Sequence, residues 1–299
     1  MKIAVMGAGA VGCYFGALLA KAGHELVMIG RAAHVEAMNA RGLLLERAPA
    51  PSYVLVTASA LPEAVAGAEL VLVCVKSADT EAASKAMRAY LAPEAVIVSL
   101  QNGVGNAQGL AAVLGRPVLP AGVYLAAEMA GPGHVRHNGR GELVLGQGPG
   151  VEALAVLLRE AAIPTTISAD VEAVLWTKLV LNCAYNAISA MTQAPYGQIV
   201  AVAEVETLIR NVVAECEAVA AACGVSLPRG QAETVLAAAQ GMAGQLSSTA
   251  QDLMRGRRTE IEYLNGHIVR LGVAQGIPTP VNQALLAVVK VLETRVGEA

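Results

Sequence analysis

Lys2-Ile3-Ala4-Val5-Met6-Gly7-Ala8-Gly9-Ala10-Val11-Gly12 decides the reading of this chain. An apolar run of strand length meets a GxGxxG and passes into a stretch of helical character, residues 11–22. Each glycine then has its own task. Gly7 permits the tight turn, Gly9 lets the backbone approach a pyrophosphate, and Gly12 lets the helix pack on the strand. The free N–H groups of the helix N-terminus face the phosphates. An Ala/Gly-rich turn would carry the same letters, but a second strand over 25–29 ending at Gly30 supplies the βαβ context in which the motif binds dinucleotides. The residue after that strand end is Arg31. An NAD site places an acid there for the ribose 2′-OH, whereas arginine offers a fork of donors to a 2′-phosphate, so the expected cofactor is NADPH.

Working outward, strand candidates fall at 3–6, 25–29, 70–75, 96–100 and 118–124, alternating with helical stretches at 11–22, 32–41, 80–91 and 105–114. This alternation predicts a parallel sheet with helices on both faces, and the unbroken apolar run LVLVCV predicts strands buried on both sides. A further strand pair is expected at 135–137 and 143–145, a helix at 151–161, and a closing strand at 165–167. Beyond residue 170 strand character ends, and helical periodicity runs over 170–191, 202–223, 231–254, 260–275 and 282–292. The boundary is placed at 168: an α/β dinucleotide-binding domain over 1–168 and an all-α domain over 169–299.

Composition narrows the function. Net charge is −3, with Arg255, Arg257 and Arg258 as the tight basic cluster, which argues against a nucleic-acid partner. The uncharged stretches 95–115 and 179–203 carry too many amides to cross a membrane. Five cysteines without a CxxC and a chain that opens directly on a strand fit a reduced cytoplasmic protein without a signal peptide. The histidines are scattered, and no metal site is expected. The apolar C-terminal helices leave room for a homodimer.

Lys178, Asn182 and Asn186 lie at i, i+4 and i+8 of an otherwise apolar helix, one polar stripe on one face. Interhelical hydrogen bonds would account for the two asparagines; a lysine in such a setting points to a task, because buried lysines are rare. Thr259 with Glu262 reads as a capping box that makes Glu260 the first residue of a helix, available either to the helix dipole or to a ligand. Ser248 reads as a local cap or a ligand donor. Asn102 and Lys76 end strands at the carboxyl edge of the sheet, where ligands bind, although a turn asparagine and a surface lysine would look the same.

VCVKS at 73–77, QNGVG at 101–105, WTKLVLNCAYN at 176–186 and SSTAQDLMRGRRTEIEYLNG at 247–266 occur in an order and spacing that resemble the ketopantoate reductase family over nearly the whole chain. The resemblance implies a Rossmann-type α/β domain followed by an all-α domain, and the NADPH-dependent reduction of 2-dehydropantoate, a small 2-keto acid, to pantoate in pantothenate biosynthesis. It implies that Lys178 is the general acid, that Asn182, Asn186, Ser248 and Glu260 bind substrate or hold the lysine, and that Asn102 and Lys76 line the nicotinamide and ketone side. With Gly7, Ala8, Gly9, Ala10, Val11, Gly12 and Arg31 on the cofactor, hydride and proton donors come from different domains, so domain closure on ligands is expected. Tyr196 stands where better-known members carry asparagine, which leaves room for another branched 2-keto acid. A sensor that binds NADPH without chemistry is the alternative that intact Lys178 and Glu260 disfavour.

Overall fold

Ile3 and Val5 are buried in one core and Ala4 and Met6 in another, on the opposite face of the sheet, which is why no polar residue alternates with them. In the computed structural model, which describes residues 1–295, strand β1 (Lys2–Met6) pairs in parallel with β2 (Glu25–Ile29) on one side and β6 (Leu70–Val73) on the other. The sheet extends through β5 (Thr57–Ser59) beyond β2, and through β7 (Val96–Ser99) and β8 (Leu119–Gly131) beyond β6. All of these pairings are parallel, in the spatial order β5-β2-β1-β6-β7-β8. The direction of chain progression reverses at β1, and such switch points open the ligand crevice of doubly wound sheets. Helix α1 (Ala10–Lys21) buries Cys13, Phe15 and Leu19 in the core on one face, shared with Leu154 and Leu158 of α5 (Val151–Glu160). On the other face α3 (Thr80–Met87) and α4 (Asn106–Leu114) contribute Met87, Leu110 and Leu114.

The sheet is mixed where a parallel one was expected. Strand β9 (His134–Leu145) runs antiparallel to β8, and β10 (Thr165–Ile167) joins β9 in parallel. The expected pair at 135–137 and 143–145 is this single strand: His137-Asn138-Gly139-Arg140-Gly141 has the composition of a turn, but Gly139, Arg140 and Gly141 take positive φ inside the ladder and absorb register shifts as bulges. Three short strands went unread. After α2 (Ala32–Arg41), β3 (Leu43–Glu46) pairs with β9 and, antiparallel, with β4 (Ser52–Val54); β5 follows.

The described part of the second unit is helical. The first unit spans Met1–Val171 and the second begins at Glu172, within helix α6 (Val171–Thr192). In α6 every residue from Cys183 to Ala190 is buried, as a helix surrounded by others requires. Helix α8 (Ala203–Ala222) buries Ile209, Val212, Val213, Cys216, Val219 and Ala220, one amphipathic stripe. A short α7 (Tyr196–Val200) follows Pro195. The single helix expected at 231–254 is two, α9 (Gln231–Gly241) and α10 (Ser248–Met254), separated by a segment containing Gly244. Helices α11 (Asn265–Gln275) and α12 (Pro280–Thr294) complete the unit. Among the described residues no helix is long and apolar enough to cross a membrane, and no cluster of His, Cys, Asp and Glu could hold a metal ion.

The capping box at Thr259 takes a different form. Thr259 Oγ1 accepts from Ile261 N at 3.1 Å, and the acid that answers is Glu293, whose Oε1 receives Thr259 N at 2.8 Å and Thr259 Oγ1 at 2.7 Å. Glu262 turns instead to Arg270 and Lys290. Glu260 therefore precedes a single 3₁₀ turn, Ile261–Tyr263, and α11 starts only at Asn265. Burial pushes the Glu293 carboxyl up, but Lys290 and the Thr259 donors outweigh it and hold the group below its ordinary 4.5. The stability it contributes is therefore present above pH 4.5 and lost as pH falls through the lowered value. Glu293→Ala is expected to reduce unfolding free energy at neutral pH by about 1–3 kcal/mol, and urea titrations repeated below pH 4.5 should show wild type and variant converging.

Candidate functional site

The glycine-rich loop is shaped by what cannot fit there. A β-carbon on Gly12 would stand 2.1 Å from the Gly7 carbonyl oxygen and 2.8 Å from Val5 Cγ1; one on Gly7, whose φ is +116°, would meet the Cys74 backbone at 2.6 Å. At Gly30 it would lie 2.5 Å from Ala8 Cβ. Gly9 is the exception, since nothing lies within 4 Å of its β-carbon position. No protein contact requires glycine there, and the open space fits a ligand that approaches the backbone. Gly7 N and Ala8 N both donate to Ile29 O, at 2.9 and 3.0 Å, tying the loop to the end of β2. Ala10, Val11 and Gly12 form the first turn of α1, where backbone N–H groups lack partners inside the helix.

Arg31 follows two residues after Ile29, at the same edge, exposed and at the N-terminal cap of α2. The first turn of α2 contains no acid. Lys76 and Asn102 come from the loops after β6 and β7, next along the carboxyl edge. These loops are stitched together. Gln101 Nε2 donates to Val75 O at 3.2 Å and to Thr80 Oγ1 at 2.7 Å; Ser77 Oγ and Asn106 Nδ2 both donate to Asn102 O, at 3.3 and 2.7 Å. Gln101, buried to 5% exposure, is the organiser that the sequence reading passed over. Its signal is a polar side chain one residue past the end of a buried apolar run, next to Asn102.

In the helical unit α6 presents the predicted stripe, and burial divides it. Lys178 and Asn182 are half-buried, whereas Asn186 is 2% exposed. Asn186 Oδ1 accepts from Tyr196 Oη at 3.5 Å, and its carbonyl oxygen accepts from Ser247 Oγ at 3.2 Å. Burial, with Tyr185 adding to it, holds the Tyr196 phenol protonated and so a donor. Asn186 thus makes the interhelical bonds that were the alternative reading of the stripe, and Lys178 and Asn182 form its accessible end. The capping role considered for Ser248 belongs to Ser247, whose Oγ accepts from Ala250 N at 3.0 Å. Ser248 opens α10 and is exposed. Glu260 is half-buried ahead of its 3₁₀ turn. Trp176, two residues before Lys178 and 2% exposed, packs edge-on against His267, whose burial, followed by Arg270, lowers it to about 4 and keeps it neutral.

Comparison with known proteins covers the whole architecture. Residues 3–150 match the model for ketopantoate reductase PanE/ApbA, and residues 170–293 match the model of its C-terminal domain. A 2-dehydropantoate 2-reductase of Archaeoglobus fulgidus is 34% identical over 301 aligned positions, covering 98% of each chain. A PanE/ApbA family ketopantoate reductase from Ralstonia eutropha superposes with a TM-score of 0.96 at 53% identity, covering 99% of each chain. D-mandelate dehydrogenase, in a ternary structure with NADH and anilino(oxo)acetate, superposes with a TM-score of 0.92 at 25% identity, again over 99% of each chain.

The two kinds of glycine separate experimentally. Gly12→Ala is expected to destabilise the fold, because the clash is with backbone and a buried valine. Gly9→Ala should leave the thermal unfolding midpoint within about 2 °C of wild type yet weaken dinucleotide binding by about tenfold or more, since a methyl group enters the space where phosphate would approach. Thermal melts paired with cofactor-fluorescence titrations would check both.

Proposed function

The chain belongs to the ketopantoate reductase family, and from that premise we propose that it reduces 2-dehydropantoate to pantoate with NADPH. The observation that carries the catalytic part is the divided stripe on α6. A lysine and an asparagine are left accessible on a helix otherwise built for burial, with Ser248 exposed and Glu260 half-buried in the same unit.

NADPH fits the residues of the first unit. The glycine-rich loop and the first turn of α1 would hold the pyrophosphate, and Gly9 leaves the room. Arg31 would take the 2′-phosphate, where no acid competes. Lys76 and Asn102 would line the reactive end. When bound, the reduced nicotinamide supplies a hydride to the ketone carbon. The remaining work falls to side chains. The Lys178 ammonium faces the ketone oxygen, stabilises the negative charge that develops there, and gives it a proton, completing the hydroxyl of the product. Ser248 offers a short neutral donor to the carboxylate. Asn182 and Glu260 bind the distal hydroxyl, and Glu260 also holds the ammonium in place.

Tyr196 supports a second reading, a reductase of a bulkier or hydroxyl-free 2-keto acid. Its phenol takes the Asn186 Oδ1 that would otherwise be open to a hydroxyl, and D-mandelate dehydrogenase, similar over nearly the whole chain, was solved with an acetate bearing oxo and anilino groups. Side-by-side NADPH oxidation separates the two. A site that hydrogen-bonds a hydroxyl disfavours the analogue lacking it, so 2-dehydropantoate is expected to exceed 3-methyl-2-oxobutanoate in kcat/KM by at least about 10²-fold. Equal values would favour the second reading.

Lys178→Ala tests the acid directly. The expectation is a fall in kcat of about 10²-fold or more with little change in NADPH binding. Activity within a few-fold of wild type would assign the proton to another group.

A further inference from the structure

A hydrogen-bond chain runs through the helical unit to the helix that carries Lys178, and Asn265 donates in both directions along it. Glu215 on α8 accepts Val281 N at 2.8 Å and Asn282 N at 2.9 Å, capping the start of α12, and accepts Asn282 Nδ2 at 2.8 Å. A carboxylate that receives three N–H groups acts only as an acceptor. Asn282 must therefore turn its amino group to Glu215 and its Oδ1 inward. Asn265 Nδ2 donates to that Oδ1 at 2.9 Å and to the carbonyl oxygen of Cys183 at 3.1 Å. Both partners of Asn265 are acceptors, so the orientation of its amide is fixed as well. Asn265 and Asn282 are fully buried, and Asn265 Oδ1 has no hydrogen-bond partner. A buried unpaired acceptor is unfavourable, so an apolar residue would serve better here if filling space were the only task. The donor half of the side chain is the part in use.

The two ends of this arrangement matter. Cys183 lies five residues beyond Lys178 and one beyond Asn182 on α6, so the anchored carbonyl is about 7.5 Å along the axis from the lysine. Asn265 opens α11 five residues after Glu260, and the intervening 3₁₀ turn is pinned by fully buried Ile261. Around the anchor α6 carries the short side chains of Ala184, Ala187, Ser189 and Ala190 between the larger Tyr185, Asn186 and Ile188, and Ser247 holds the Asn186 carbonyl three residues further on. A bond to a single carbonyl sets one rung, because any slip leaves a buried amide without its acceptor.

We propose that Asn265 is a positioning residue: by holding the Cys183 carbonyl and Asn282 together it fixes the height and rotation of α6 relative to the segment bearing Glu260, and so sets the Lys178–Glu260 geometry. The proposal rests on the reading of Lys178 as the acid. Small displacements of a reacting group are costly, so Asn265→Ala should lower kcat about tenfold, leave the KM for NADPH within about twofold, and shift the alkaline limb of the kcat–pH profile, where the acid loses its proton. Asn265→Ser, which keeps one donor, should fall between Ala and wild type. Gln231→Ala is the matched control. Gln231 is also a buried amide with an unpaired oxygen, but it bonds Pro228 O at the start of α9. It should lower the melting temperature with kcat and the pH profile unchanged. The proposal is overturned if both Asn265 variants, folded by circular dichroism, retain wild-type kcat while Lys178→Ala is inactive, or if Gln231→Ala loses as much kcat at the same loss in melting temperature. Wild-type kcat in Lys178→Ala would overturn the acid assignment and the proposal with it.

Discussion

The absence of a side chain at Gly12 is the constraint on which the first unit depends. A β-carbon there would overlap the Gly7 carbonyl oxygen, so β1, its loop and α1 can fold back on one another only because that atom is missing. The same closeness brings Gly7 against the Cys74 backbone and Ala8 against Gly30. The loop after β1 thereby touches the ends of both its neighbours, β2 and β6. Everything proposed to meet the cofactor follows from this contact. It directs the N-terminus of α1 at the carboxyl edge, places Arg31 beside the loop, and puts Lys76 two residues past the Cys74 backbone that the loop packs against.

The two units fix position by different means. In the first, strand ladders set the register, and side-chain bonds such as those of Gln101 only trim the loops. In the second there is no ladder between helices, and the buried stretch of α6 is rich in alanine and other small residues. There, side chains grip the backbone of another element. Ser247 holds the carbonyl of Asn186, Asn265 that of Cys183, Glu215 the first amides of α12, and Glu293 the amide of Thr259. Such bonds are buried or nearly so, and a slipped pairing would strand polar groups away from water. The gripping residues are therefore informative about which helix relationships the molecule fixes.

What the sequence made legible divides along the same line. The glycine loop, strands such as 25–29, and the periodic helices could be read because their signals are local. So could the stripe of Lys178, Asn182 and Asn186, which needs only a period of 3.6. The burial of Asn186 could not be read, because it is decided by Tyr196 and Ser247, in other elements. Thr259 finds its carboxylate at Glu293 rather than at nearby Glu262, a partner 34 residues away that no local pattern indicates. The short strands β3 and β4 lacked enough residues for a period, and the bulge at 139–141 imitated a turn. Gly244, within the helical run expected at 231–254, lies where that run breaks.

Tyr196 shows how one substitution propagates through such a network. An asparagine at this place would offer both a donor and an acceptor; the phenol offers Asn186 a donor and, held protonated by burial, does not become an anion. Its ring packs against Tyr185 at 5.1 Å between centroids, and Tyr185 is in turn held by the carbonyl of Val235. The deep end of the stripe is thus closed by two rings braced on α9. On the proposed reading, polar recognition then falls to Asn182, Ser248 and Glu260, the half-buried and exposed members of the set. The two groups proposed for the distal hydroxyl, Asn182 and Glu260, lie on separate elements of the helical unit. On the proposed reading their mutual placement follows from the side-chain bonds that hold helix register, which would give substrate preference and helix register the same physical origin in this unit.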